Sequence, residues 1–364
     1  MPSYDEKIKE LEERIRNTPY NKATQHAIGM YKAQLARLRE AQERRGSATK
    51  KGDGYSVKKS GDATVILCGF PSVGKSTLLN ALTNTESKVG SYAFTTLDVV
   101  PGLLEYNHAK IQILDVPGVV HGAASGRGRG REVLAVMRTA DLALLLIDVN
   151  HPGHLKVLRK EIHDAGLRLD QVPPDVKITK RTRGGIDIAS TVRLKNINHE
   201  TIKGVLKEFR IHNAEIVIRE DITVDQLIDV IEANKIYIPS IVALNKVDTV
   251  KSTKLEQVKK TVAPDICLSA EQGVGVEELK GVIFRKLDLI RVYCKEAGKK
   301  ADLDVPLIMR RGATIKDMCR KLHREFIHKF RFARVWGGSA KFPGQKLSLS
   351  HSLFDGDIVE VHLK

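Results

Sequence analysis

The sequence predicts an α/β protein. Its centre is a doubly wound parallel sheet with a smaller α+β insertion, preceded by a helical hairpin and followed by a compact α+β module. Three observations carry this. A G-x-x-x-x-G-K-S loop occupies residues 69–76, between a strand-like apolar run and a helix-like one. From Asp62 onward strand-like and helix-like segments alternate, the pattern of parallel strands joined by helical crossovers. Finally, Asp115 and Asn245 lie 130 residues apart, where two strand–helix units need only about 60. Roughly 70 residues must therefore be inserted between them.

At 364 residues, 42% hydrophobic and 29% charged, the chain suits a soluble protein of two or three domains. It contains no run of about 20 uncharged apolar residues, so no membrane partner is expected. The opening Met-Pro-Ser-Tyr-Asp-Glu lacks the basic and apolar regions of a secretion signal. Four scattered cysteines, Cys68, Cys267, Cys294 and Cys319, have no metal-ligand spacing. Cys68 and Cys267 fall in apolar runs, so buried free thiols and a reducing cytoplasm are expected. The net charge of +16 is uneven: +6 over residues 1–60, +8 over 291–364 and +2 between them. Basic ends around a near-neutral centre point to a polyanionic partner, RNA or the ribosome.

The elements follow in order. Residues 4–17 read as an amphipathic helix with Ser3 and Glu6 as a capping box and Ile8, Leu11 and Ile15 as its stripe. Pro19 and Asn21 break it, and a second helix runs to about Arg45, with Ile28, Tyr31, Leu35 and Leu38 at heptad-like spacing. This sets a hairpin over 1–46, whose Lys/Arg groups are either a solvated face or a nucleic-acid surface. Residues 47–60, rich in Gly, Ser and Lys, read as a linker. The main domain spans 61–290, with strands at 64–68, 110–114, 142–147 and 240–244 and a helix opening at 77–82. Within it, 166–237 is the insertion: Pro173-Pro174, a basic strand-like stretch at 176–181, a helix near 200–210, a strand at 215–218 and a helix at 223–233. The last module, 291–364, has a strand around 305–309 and a helix opening near Thr314 with Met318, Leu322 and Phe326 on one face. Short strands at 332–335 and 358–362 complete it.

The loop Gly69, Phe70, Pro71, Ser72, Val73, Gly74, Lys75, Ser76, continuing into Thr77, turns backbone N–H groups onto phosphate oxygens at a helix N-terminus. Lys75 can reach the β- and γ-phosphates and the Ser76 hydroxyl can ligate Mg²⁺. Asp115-Val116-Pro117-Gly118 ends a strand 46 residues after Gly69. There Asp115 can hold Mg²⁺ through water and the Gly118 N–H can sense the γ-phosphate. In Asn245-Lys246-Val247-Asp248, the Asp248 carboxylate can accept both N1–H and N2–H₂ of guanine, a donor pair that adenine lacks. Asn245 either bonds the base or braces the phosphate loop, and the Lys246 stem can cover the ring. Ser269-Ala270 ends a further strand, where a backbone N–H can donate to guanine O6. A threonine of Tyr92-Ala-Phe-Thr-Thr96 can ligate Mg²⁺ while the γ-phosphate is present, and analogy with other switches selects Thr96.

GFPSVGKST at 69–77, Tyr-Ala-Phe-Thr-Thr, Asp-Val-Pro-Gly, the segment Gly122-Ala-Ala-Ser-Gly-Arg-Gly-Arg-Gly-Arg131 and the insertion before Asn-Lys-Val-Asp resemble one group closely. This is the Obg superfamily of translation-factor-related GTPases, and within it the developmentally regulated GTP-binding protein (DRG) family of archaea and eukaryotes. The resemblance spans nearly the full length. It implies a P-loop GTPase domain binding GTP or GDP with Mg²⁺, an insertion like domain 2 of ribosomal protein S5, and a C-terminal TGS domain of β-grasp type. It also implies catalysis through Lys75, Thr96 and Gly118, a protein cofactor of the family's type, and a link to translation. TGS-like domains also accompany enzymes that handle tRNA or guanine alarmones.

Two departures matter. Val119 stands where many GTPases place a water-orienting Gln after the glycine, which predicts slow intrinsic turnover. Ser72 replaces the P-loop Asn with which some relatives bind K⁺, leaving K⁺ dependence open. His121, Arg127, Arg129 and Arg131 can substitute for the missing Gln, although solvation or contact with a partner is the favoured reading of the arginines. A GTP-gated binding module with incidental hydrolysis is the competing function. Asn-Lys-Val-Asp argues against an ATPase.

Overall fold

The computed structural model describes residues 4–19, 21, 23–47, 61–83, 100–115, 136–296 and 298–364. It opens with α1 (Tyr4–Asn17) and α2 (Gln25–Ser47), then β1 (Ala63–Cys68) and α3 (Lys75–Thr83). A hairpin of β2 (Val100–Tyr106) and β3 (Ala109–Asp115) follows. It turns at Asn107 and His108, both at positive φ (49° and 66°), the conformation a two-residue hairpin loop requires. After β4 (Leu142–Asp148) and α4 (His154–Asp164) come β5 (Leu167–Leu169), β6 (Val176–Lys180), β7 (Ile186–Ser190), α5 (His199–Glu208), β8 (Ala214–Ile218), α6 (Val224–Glu232) and β9 (Ile236–Ile238). The chain resumes with β10 (Ser240–Asn245), α7 (Ser252–Val262), β11 (Ile266–Cys267) and α8 (Val276–Lys286). It closes with β12 (Leu289–Lys295), β13 (Leu307–Arg310), α9 (Ile315–Leu322), α10 (Glu325–Lys329), β14 (Phe330–Trp336), β15 (Gln345–Leu347) and β16 (Ile358–Leu363). Two compact units result: residues 55–165 with 238–364, and residues 1–54 with 166–237.

The larger unit is built on a six-stranded sheet of order β11-β10-β4-β1-β3-β2. Every residue of β1, β4 and β10 is buried, which is why these strands read as unbroken apolar runs rather than alternating ones. β1 pairs in parallel with β3 on one side and β4 on the other, so the order reverses at β1 and the crevice at its carboxyl end is where ligands bind in such sheets. One strand departs from the parallel expectation: β2 runs antiparallel to β3 at the sheet's edge. Pro101 fits there, because an edge strand need not donate every N–H.

The last module of this unit has a sheet of order β13-β12-β16-β14-β15, in which β12 and β16 run parallel and the other pairs antiparallel. Its core gathers Ile290, Val292, Met309, Ile315, Met318, Val335 and Val359. The helix face expected from sequence is corrected here. Met318 is buried, but Leu322 is 40% exposed, because His323 turns extended and ends α9, and Phe326 belongs to α10.

The smaller unit joins the hairpin to the insertion. The sheet β6-β8-β7 carries α5 and α6, and α2 packs on both helices. The closest approach is at Gly29, where a Cβ would lie 2.7 Å from Thr201 Cγ2, so any side chain there would force Thr201 to shift. Ion pairs Lys32–Asp225 (2.6 Å) and Arg37–Glu208 (3.2 Å) fasten α2 to the insertion, and Arg39 pairs with Glu12 at 2.7 Å. Several hairpin cations are therefore spent on internal contacts. Arg168 makes a bidentate pair with Asp229 (2.6 and 2.7 Å), both nearly fully buried beside the short β5–β9 ladder.

Candidate functional site

The site grows from the carboxyl ends of β1, β3, β4 and β10. After Cys68 the chain loops through Gly69–Gly74 and enters α3 at Lys75, aiming the first helical N–H groups into the crevice. Gly74 sits at φ 97°, and a Cβ there would lie 2.5 Å from Asn245 Nδ2. The Lys75 ammonium donates to the carbonyls of Gly69 and Phe70, both at 3.1 Å. These are contacts it can exchange for phosphate oxygens. At the foot of the loop the Ser76 hydroxyl lies 3.4 Å from Asp115 Oδ2. Asp115 Oδ1 is buried without a hydrogen-bond partner among the described residues. Burial raises the Asp115 carboxyl above its ordinary range, against the opposing pull of Lys75 and Ser76. An orphaned carboxylate oxygen beside a hydroxyl fits a hard cation. Mg²⁺ is commonly held by one or two such oxygens, with substrate phosphates and waters filling the rest.

Asn245 ends β10 only 2% exposed. Its Nδ2 donates to the Val73 carbonyl at 2.8 Å, and its Oδ1 accepts the Ala270 N–H at 3.0 Å. Of the two roles left open by sequence, the structure shows the brace. Of the backbone N–H groups at Ser269-Ala270 that could face guanine O6, that of Ala270 is directed at Asn245. Lys246 adopts φ 62°, and its ammonium donates to the Ser72 carbonyl at 2.7 Å and pairs with Asp148 at 2.8 Å. Burial opposes the Asp148 charge, yet hydrogen bonds from Lys246 and the Asn150 N–H hold its carboxyl below the usual range. Asp248 stands exposed in the 3₁₀ turn Val247–Thr249. Ser269 closes a tight turn by donating its N–H to the Val274 carbonyl at 3.0 Å. Loop and brace thus meet at the carboxyl ends of β1 and β10, with the exposed carboxylate three residues beyond Asn245.

Residues 64–180 match a sequence family described as a 50S ribosome-binding GTPase. Residues 183–289 match the C-terminal region of that domain, and 290–363 the TGS domain. The chain is 54% identical to an uncharacterized GTP-binding protein of Methanocaldococcus jannaschii, over 99% of this chain and 93% of that one. It is 42% identical to Developmentally-regulated G-protein 3 of Arabidopsis thaliana and 43% to Ribosome-interacting GTPase 1 of Saccharomyces cerevisiae, each over 99% of both chains. The chain belongs to the developmentally regulated GTP-binding protein family. In this DRG-family protein the six-stranded sheet is the P-loop GTPase domain and the module β12–β16 is the TGS domain.

Of the site residues expected from sequence, the DRG-family structure brings together the loop Gly69–Ser76, Asp115, Asn245 and Lys246, with Ala270 tied to Asn245. Thr96, Gly118, His121, Arg127, Arg129 and Arg131 lie outside the described residues. Sequence reading missed Asp148, although a carboxylate ending an apolar strand beside the loop was a usable signal. It also missed His154, whose ring stacks on Phe70 with centroids 4.0 Å apart, and His151, stacked on His154 at 5.1 Å. No sequence signal marks that column of rings. Cys68 is buried as expected, and burial pushes its thiol up to about 12. Cys267 is only partly buried, because its two-residue strand lies at the sheet's edge.

Proposed function

We propose that this protein hydrolyses GTP to GDP and phosphate as a slow, Mg²⁺-dependent switch that acts in translation through contact with the ribosome or its RNA. The observation that carries the reading is the buried Asp115 Oδ1, without a partner among the described residues, beside the Ser76 hydroxyl at the foot of a P-loop. The loop's N–H groups cradle the phosphates, and Lys75 leaves the Gly69 and Phe70 carbonyls for the β- and γ-phosphate oxygens. The Asp248 carboxylate accepts guanine N1–H and N2–H₂. Asn245 and Lys246 hold the loop from behind. Water attacks the γ-phosphorus and its proton passes to an oxygen of the released phosphate, while the bond to the β–γ bridging oxygen breaks and its electron pair leaves with GDP. Ser76, Thr96 and, through water, Asp115 would hold a Mg²⁺, which would supply charge neutralisation at the phosphates.

In sequence Val119 follows Gly118 and cannot orient the water by hydrogen bonding, so turnover is slow without help. Help comes from a partner, from His121, Arg127 or Arg129, or from K⁺ near Ser72. Replacing KCl by NaCl in the assay separates the last of these. The family description and the printed name of the yeast relative support the ribosomal reading. Action there places the protein in the cytoplasm. Among the described residues no helix is long and apolar enough to cross a membrane.

Asp248→Asn tests the base assignment. The variant should lose GTP affinity and gain affinity for xanthosine triphosphate, and unchanged GTP affinity would overturn the assignment. Single-turnover hydrolysis with and without ribosomes tests the switch. Absence of stimulation would favour a GTP-gated binding module.

A further inference from the structure

The outward face of the TGS sheet interleaves cations with aromatic rings. Strand register sets Lys295, Glu360, Arg334 and Lys346 side by side across β12, β16, β14 and β15. Phe332 opposes His362 on one side of this row, and Trp336 opposes Ile358 on the other. Alternate residues of the same strands, Ala333, Val335 and Val359, point the other way into the core. The Phe332 and His362 rings stack with centroids 4.3 Å apart and planes 20° from parallel. The Lys346 ammonium lies 4.8 Å from the Phe332 centroid, and the Lys295 ammonium 4.6 Å from the Trp336 ring.

The one acid in the row does not neutralise it outwardly. Glu360 is 3% exposed and engaged by Lys295 and by His362 Nε2. Arg334 and Lys346 are exposed, in a segment whose net charge over 291–364 is +8. We propose that this face binds single-stranded RNA, with Phe332 and Trp336 stacking bases and Arg334, Lys346 and Lys295 holding phosphates. Both rings are half-buried, and an ammonium resting on such a ring is a weak contact. A base that takes its place stacks more strongly and frees the ammonium for the phosphate it brings. Duplex RNA keeps its bases stacked inside and cannot offer them to rings on a sheet. An acidic peptide would satisfy the cations but leave the rings without a role. The proposal deepens the RNA contact of the preceding reading by assigning it a surface and a strand state.

The test uses the full chain and a fluorescein-labelled oligouridylate of twelve nucleotides. A duplex of equal length and polyglutamate serve as competitors. Phe332→Leu with Trp336→Leu should weaken binding about tenfold with the salt dependence unchanged. Arg334→Gln with Lys346→Gln should weaken it and also flatten the salt dependence. Thermal melting and GTP binding of each variant establish that it is folded. Equal affinity for duplex, unaltered binding by the leucine variant, or polyglutamate competing as well as the oligonucleotide would each overturn the proposal. Ribosome co-sedimentation is measured alongside. If wild-type protein pellets with ribosomes but ignores the oligonucleotide, this surface assignment fails and the ribosomal reading stands. If it binds the oligonucleotide in the ring-dependent way and never pellets, the reverse holds.

Discussion

Asn245 joins two jobs that the motif letters keep apart. Its single amide donates to the Val73 carbonyl in the phosphate loop and accepts the Ala270 N–H in the base-side turn. Replacing it by alanine strands a buried carbonyl and a buried N–H, at a cost of about 1–3 kcal/mol each. Asn245→Ala should therefore lower both the denaturant midpoint and the affinity for a fluorescent GTP analogue, the latter by at least about tenfold. A variant that lost stability but kept its affinity would show that the brace does not shape the loop. At this scale the sequence was legible where a motif fixes residue type and spacing: the structure brings Lys75, Ser76 and Asp115 to one strand end and leaves Asp248 exposed in its turn. It was silent on Asp148–Lys246 and Phe70–His154, because those partners meet only through the order of the sheet.

Helix α9 shows how an element's end can be tested on its own. Thr314 and Asp317 form a reciprocal capping box, with the Thr314 N–H donating to Asp317 Oδ2 at 3.0 Å. That backbone hydrogen bond, then the Thr314 hydroxyl, holds the Asp317 carboxyl below its ordinary range. Because the folded value lies below the unfolded one, the contribution is fully present above the unfolded carboxylate value of about 3.9. It is lost as pH falls through the depressed folded value. Thr314→Ala should cost about 1 kcal/mol at pH 7. Asp317→Asn should be destabilising at pH 7 and approach wild type near pH 2.5, as read by circular dichroism melting. A constant offset between the two pH values would reject the cap as the cause. Strands β1, β4 and β10 were legible because burial on both faces leaves an unmistakable apolar run. Strand β7 was not, because Ile186–Ser190 offers only two large apolar residues, neither of them fully buried. The three-residue β5 and β9 are too short to show any period.

At the scale of the whole chain, spacing predicts an insertion, but the grouping of residues 166–237 with 1–54 had no sequence signal. A helix stripe built from Ile28 and Leu35 looks the same whatever it is destined to meet. The structure shows the partner as α5 and α6. Filling the closest approach should consequently disturb both segments together. Gly29→Leu, forced against Thr201, should cost about 1–3 kcal/mol. Limited proteolysis should then cut within 1–47 and 166–237 at the same protease concentration. Cleavage confined to the hairpin would show that the two do not unfold as one.

That union has a consequence in time as well as in space. Ser47 and His199 are the near ends of α2 and α5, and the whole first half of the GTPase domain is encoded between them. A chain elongating at roughly 5–20 residues per second needs on the order of 10–30 s to cross that gap. During that interval the nascent hairpin carries an apolar stripe whose permanent cover has not yet been synthesised.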